Sequence, residues 1–112
     1  MSRFSDVVER LVAVIESRRG ADPAASWSAK LLADPKLAAE KLAEEAVETA
    51  LAAVENDREA LTAESADLVY HWLALLAACG VSLDDVAAKL EAREGTSGVA
   101  EKAGRGKRQD GR

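Results

Sequence analysis

KLAEEAVETALAAVENDREALTAESADLVYHWLALLAACG, residues 41–80, decides how this chain folds. On a helical wheel with Glu44 at zero, Glu48 falls at about 40°, Lys41 at about 60° and Glu45 at about 100°. Leu42, Ala43, Ala46, Val47, Ala50, Leu51 and Val54 fill the rest of the circle, so this half is an amphipathic helix. The second half behaves differently. From Ser65 to Cys79 the residues Leu68, Val69, Trp72, Leu73, Leu75 and Leu76, with several alanines, cover every direction. A helix that is apolar all round is central in its assembly. Asn56-Asp57 breaks the pattern between the halves, with Asp57 as the cap of the second.

Outward from this core the same punctuation recurs. Phe4, Val7, Val8, Leu11, Val12 and Ile15 keep helical spacing, and Gly20 with Asp22-Pro23 ends that helix. SWSAKLL, residues 26–32, is too short for more than a turn of helix or an ordered loop. Asp34-Pro35 opens the next helix, with Asp34 as N-cap and Pro35 in its first turn, and that helix reaches about Glu55. Gly80 ends the long apolar helix. Ser82, with Asp85 three residues on, starts a last helix that stops before Gly95. Four helices joined by short loops predict an all-α, antiparallel four-helix bundle over residues 1–95. Residues 96–112, rich in Gly, Lys and Arg without periodicity, read as a flexible basic tail.

The chain has 112 residues, 48% of them hydrophobic but only 4% aromatic. A core of Ala, Leu and Val suits closely packed helices, and so short a chain buries a modest share of its surface. A homodimer or higher homo-oligomer is therefore expected. The formal charge of −5 argues against a nucleic-acid partner, because phosphate contacts need a basic face. A single cysteine, Cys79, excludes an internal disulfide. No apolar run reaches the roughly 18 residues of a membrane helix, so no membrane partner and a cytoplasmic location are expected.

The acids of the opening stretch pose the functional question. Glu44, Glu45 and Glu48 alone would pass for a wet helix face. Glu64, Asp67 and His71, however, lie within about 60° of one another on the apolar helix, on a stripe that continues into Leu68 and Leu75. Carboxylates beside such a surface need cations, hydrogen bonds or a metal, and the preceding helix brings more acid rather than base. A shared cation resolves the conflict. Oxygen-only ligands suit Mg²⁺ or Mn²⁺, whereas zinc prefers Cys and His, of which the chain has one each. A di-iron bundle would use Glu-x-x-His pairs, and none is present.

The pattern Glu-Glu-x-x-Glu (Glu44, Glu45, Glu48), followed after fifteen residues by Glu-x-x-Asp (Glu64, Asp67), resembles the signature of the all-α, MazG-like nucleotide pyrophosphohydrolases. KLAEEAVETALAA, ESADLVYHWLALLAACGVSLDDV, REGTSGVAEKAGR and RRGADPAASWSAKLL narrow the resemblance to the phosphoribosyl-ATP pyrophosphohydrolases of histidine biosynthesis. It covers about residues 4–105, and departs where Ala43 replaces a common Gly and Trp27 a common Tyr.

The resemblance implies Mg²⁺-dependent hydrolysis of the α–β phosphoanhydride of phosphoribosyl-ATP. By motif position Glu45, Glu48, Glu64 and Asp67 are the implied metal ligands. Glu44 and Glu45 are the implied catalytic acids, with Glu44 able to accept a proton from water. Lys41 reads as a phosphate contact or as the ion-pair partner of Glu45. Lys30 and Ser28 read as substrate contacts or as an exposed loop, and His71 as a hydrogen-bonded histidine rather than a ligand. The resemblance also implies a bundle completed by homodimerisation. Two rivals stand beside this reading: a house-cleaning nucleoside triphosphate pyrophosphohydrolase, and a non-catalytic helical module that docks a basic partner.

Overall fold

A computed structural model describes residues 2–95 of the chain. The tail expected at 96–112 lies outside the described residues, which are all-α: α1 (Arg3–Ser17), α2 (Trp27–Ala33), α3 (Pro35–Val54), α4 (Arg58–Ala78) and α5 (Leu83–Ala92), with no strand among them. No single described helix is long and apolar enough to cross a membrane.

The helix starts follow from side-chain caps. The Asp34 carboxylate accepts from Leu37 N at 3.1 Å and the Asp57 carboxylate from Ala60 N at 3.0 Å, each satisfying a backbone donor with no partner inside its helix. Pro35 takes the position after its cap, where a missing N–H costs nothing. The α3–α4 connection is compressed into residues 55–57. Asn56 adopts a left-handed φ of 59°, which lets its N–H reach the Ala53 carbonyl and the Asp57 N–H reach the Ala52 carbonyl. Asp57 therefore closes α3 with its backbone and opens α4 with its side chain. Gly80, at φ 71°, ends α4 by the same geometry, with Val81 N on Leu76 O at 2.9 Å.

So tight a reversal makes α3 and α4 an antiparallel pair, and theirs is the most extensive contact among the described helices. The central place expected for the long apolar helix is observed: α4 touches α1, α2 and α3. Its fully buried Ala74 meets Ala38 of α3 and Leu31 of α2, with Leu37, Tyr70 and Leu75 packed around them. Alanine on both sides allows the backbones to approach closely. Arg19 ties the segment after α1 to the end of α4 by donating to the Ala77 carbonyl at 2.9 Å, while also pairing with Glu16.

Residues 26–32 depart from expectation. Instead of one turn or a loop they supply a seven-residue helix, capped by Ser26. Its length alone would not sustain it, but Ala29, Leu31 and Leu32 are buried, so tertiary contact supplies what local propensity lacks. The chain divides into two compact units at Val81–Ser82. In the second, Ser82 and Asp85 form the expected capping box, each side chain bonding the other's backbone N–H at 3.0 Å.

Leu31 is fully excluded from solvent at the meeting of α2, α3 and α4. Leu31→Ala should therefore lower unfolding stability by about 2–5 kcal/mol in urea titrations followed by circular dichroism. A loss below about 1 kcal/mol would show that α2 is not part of the core.

Candidate active site

The reversal at residues 55–57 does more than join two helices. Glu48 lies eight residues before Asn56 and Glu64 eight after it, about 12 Å along each helix at 1.5 Å per residue. Antiparallel pairing therefore sets them at one level. Glu45 and Asp67, each eleven residues from Asn56, share the next level. The amphipathic face of α3 and the acidic stripe of α4 meet there.

Carboxylate oxygens of Glu45, Glu48 and Glu64 all lie within 4.8 Å of one another. Glu45 Oε2 and Glu64 Oε2 are buried and have no hydrogen-bond donor. Ionised carboxylates offer only acceptors, so such a group needs a proton or a cation between its members. Here a proton is held: Glu64 is pushed from 4.5 up to about 7. The chief cause is hydrogen bonding of its protonated form to Glu48, followed by burial and then by hydrogen bonding to Glu45.

The other sequence candidates take distinct places. Glu44 is exposed, outside the triad, and Lys41 Nζ pairs with it at 2.8 Å. The partner of Lys41 is thus Glu44, one helical turn away, rather than Glu45. The hydrogen bond to Glu44 is the main reason the Lys41 ammonium is held above its usual range, with its attraction to Glu44 next and to Glu45 and Glu48 contributing less. Asp67 is exposed and is not a member of the triad, although it is one turn along α4 from Glu64. Lys30 Nζ sits 5.7 Å from the centroid of the Trp27 ring, and Lys41 Nζ 6.0 Å from the same centroid. Ser28 Oγ and Tyr70 Oη share a hydrogen bond of 2.6 Å.

His71 is buried, and both its ring nitrogens are engaged. Trp27 Nε1–H can only donate, so His71 Nε2, 3.2 Å away, is the acceptor. Nδ1 therefore carries the proton and donates to the Asp67 carbonyl at 2.8 Å. The expected hydrogen-bonded histidine is found, and it has no lone pair left for a metal. Tyr70 thus joins α4 to α2 through Ser28. Pairings such as Trp27 with His71 span 44 positions, and no local spacing announces them.

Oxygen donors with orphaned atoms fit a hard divalent cation. Glu45, Glu48 and Glu64 are the residues placed to hold one, and among the described residues no basic side chain pairs with any of them.

The chain matches the family model described as phosphoribosyl-ATP pyrophosphohydrolase over residues 8–94. It is 69% identical to a phosphoribosyl-ATP pyrophosphatase of Caulobacter vibrioides over 103 residues, 92% of this chain and 96% of that relative. It is 65% identical to the protein of that name from a Caulobacter species (strain K31) over 105 residues, 94% and 98% of the two chains. Against that of Cereibacter sphaeroides (strain ATCC 17029) the identity is 60% over 101 residues, 89% and 98%.

The proton on Glu64 gives a prediction with a definite sign. Between 4.5 and about 7 the folded, metal-free chain keeps a proton that the unfolded chain releases. The stability this group contributes is full below 4.5 and is lost as pH rises through about 7. Relative to Glu64→Gln, the wild type should lose melting temperature across that window with a chelator present. Parallel curves for the two proteins would show that Glu64 holds no proton.

Proposed function

The chain belongs to the phosphoribosyl-ATP pyrophosphohydrolase family, and we propose that it hydrolyses the α–β phosphoanhydride of phosphoribosyl-ATP. The products are phosphoribosyl-AMP and diphosphate, in an early step of histidine biosynthesis in the cytoplasm. The observation that carries this reading is the convergence of Glu45, Glu48 and Glu64 with two buried, donorless oxygens. An interaction surface for a basic partner has no need to bury its carboxylates against each other.

Glu45, Glu48 and Glu64 hold Mg²⁺ in this proposal, Mn²⁺ being the chemically closest substitute, and Asp67 completes the set from the next turn of α4. Bound Mg²⁺ supplies Lewis-acid neutralisation of the phosphate oxygens and of the leaving diphosphate. Glu45 acts by fixing the site's anionic geometry from α3. Glu44, outside the triad, is free for a different task. Its ion pair with Lys41 is exposed, hence weakly held, and a phosphate group readily competes for the ammonium. Once Lys41 turns to phosphate, the Glu44 carboxylate is released to accept a proton from the attacking water. Lys30 adds a second cation to the substrate. Ser28, whose hydroxyl shares a hydrogen bond with Tyr70, serves as a further substrate contact in this proposal.

The finer architecture follows from what one chain leaves uncovered. Val47, Leu51 and Val54 lie on the apolar arc of α3 and are 59%, 54% and 83% exposed. We place this face in a homodimer in which helices of two chains complete a four-helix, MazG-like bundle.

Turnover of phosphoribosyl-ATP, followed by diphosphate release, tests the proposal. Glu48→Gln should reduce kcat by about a hundredfold or more while leaving helicity unchanged. A chelator should abolish activity and added Mg²⁺ restore it. Release of diphosphate from dUTP or dCTP instead would keep the site and overturn the substrate. Full activity of Glu48→Gln would return the acids to being surface.

A further inference from the structure

Trp27 occupies an unusual position for a large aromatic residue. It stands at the start of α2, 42% exposed, yet its indole is held from behind by an ordered chain of contacts. Its N–H donates to buried His71, whose ring is fixed in turn by the Asp67 carbonyl and by the edge of Tyr70, 4.9 Å away between centroids. The ring cannot turn without breaking that bond. It therefore presents a fixed electron-rich surface, and one of the cations over it, Lys41, is the lysine that neighbours the triad acids.

Two ammonium groups are drawn to it from different helices. Lys30 comes from the next turn of α2 and Lys41 from α3, with nitrogens 5.7 and 6.0 Å from the same centroid. Cations at this range are attracted by the ring quadrupole. Like charges gathered at one ring also repel, and the compensation is unequal. Lys41 has Glu44 at 2.8 Å, whereas Lys30 has no acidic partner among the described residues. Through Lys41, on which the charges of Glu45 and Glu48 also act, this cationic pair with spare charge adjoins the anionic triad. An anion that also binds a divalent metal satisfies both at once, and a diphosphate group has that chemistry.

We propose that Trp27 is a positioning residue whose indole gathers Lys30 and Lys41 into one cationic pair that takes the diphosphate portion of the nucleotide. This rests on the reading of the triad as the hydrolytic metal site. Trp27 itself need not touch the reacting atoms, and it acts through the lysines.

The test is steady-state turnover of phosphoribosyl-ATP, with inhibition by inorganic diphosphate in Mg²⁺, for wild type, Trp27→Leu, Trp27→Phe, Lys30→Gln and the Trp27→Leu/Lys30→Gln double variant. Trp27→Leu should raise KM and the diphosphate inhibition constant about three- to thirty-fold, the range of one to two cation–π contacts, with kcat within about twofold. Trp27→Phe keeps an aromatic face and should recover much of the loss. The double variant should exceed the worse single variant by less than the product of the two effects, because both disturb one contact. Unchanged KM and inhibition constant in Trp27→Leu, or fully multiplicative effects, would overturn the proposal. Should wild type fail to hydrolyse phosphoribosyl-ATP, the hydrolase reading falls, and calorimetric titration of diphosphate into the same variants still decides whether the lysine pair exists.

Discussion

Everything at this site depends on the reversal at residues 55–57, which brings Glu45 and Glu48 of α3 against Glu64 of α4 with no described base paired to them. Helix pairs normally bury carboxylates only opposite lysines or arginines. Here the apolar contact between α3 and α4, together with the docking of α2 on both, holds the acids together. The alanines that let the backbones approach, Ala38 and Ala74, lie in the same cluster that buries Leu31. Folding energy from hydrocarbon is thereby used to keep like charges close. A proton on Glu64 relieves the repulsion in the metal-free chain, and a divalent cation relieves it more completely.

Positive charge is kept to the rim. Lys41 pairs with Glu44 rather than with a member of the triad, and both Lys41 and Lys30 are drawn toward Trp27. A lysine inside the triad would neutralise it, and none of the described lysines pairs with Glu45, Glu48 or Glu64. The separation leaves a site with two faces of opposite sign, suited to a ligand that is itself a metal-bound anion. The short helix α2 is central to this arrangement. Its inner side supplies Leu31 to the core, and its first residues supply Trp27 and Ser28, bonded respectively to His71 and Tyr70 of α4.

Much of this was legible in the residues alone. Asp34-Pro35, Asn56-Asp57 and Ser82 with Asp85 mark helix boundaries through local chemistry, since a cap bonds backbone within its own turn. The all-round apolar character of residues 65–79 placed α4 at the centre, and the helix is found there. The helical extent of residues 27–33 was not legible. A two-turn helix has too few internal hydrogen bonds to be stable alone, and its support comes from side chains on distant helices. Nor was the choice Lys41 makes between Glu44 and Glu45, since both lie within helical reach and rotamers settle it.

The sequence by itself determined the alternation of apolar stripes and caps, and with it the all-α class, the hairpin of α3 and α4, and the acids available to it. Periodicity and capping are short-range physics, written within one or two turns. Only the tertiary structure decided which acids meet. Glu45, Glu48 and Glu64 share a centre, Glu44 turns outward to Lys41, and Asp67 remains exposed one turn away. It also decided that Trp27 and His71, 44 positions apart, lock together and fix the direction of the indole. Those outcomes depend on the register and rotation of helices against one another, which long-range packing of Leu31, Ala38 and Ala74 sets and no local pattern encodes.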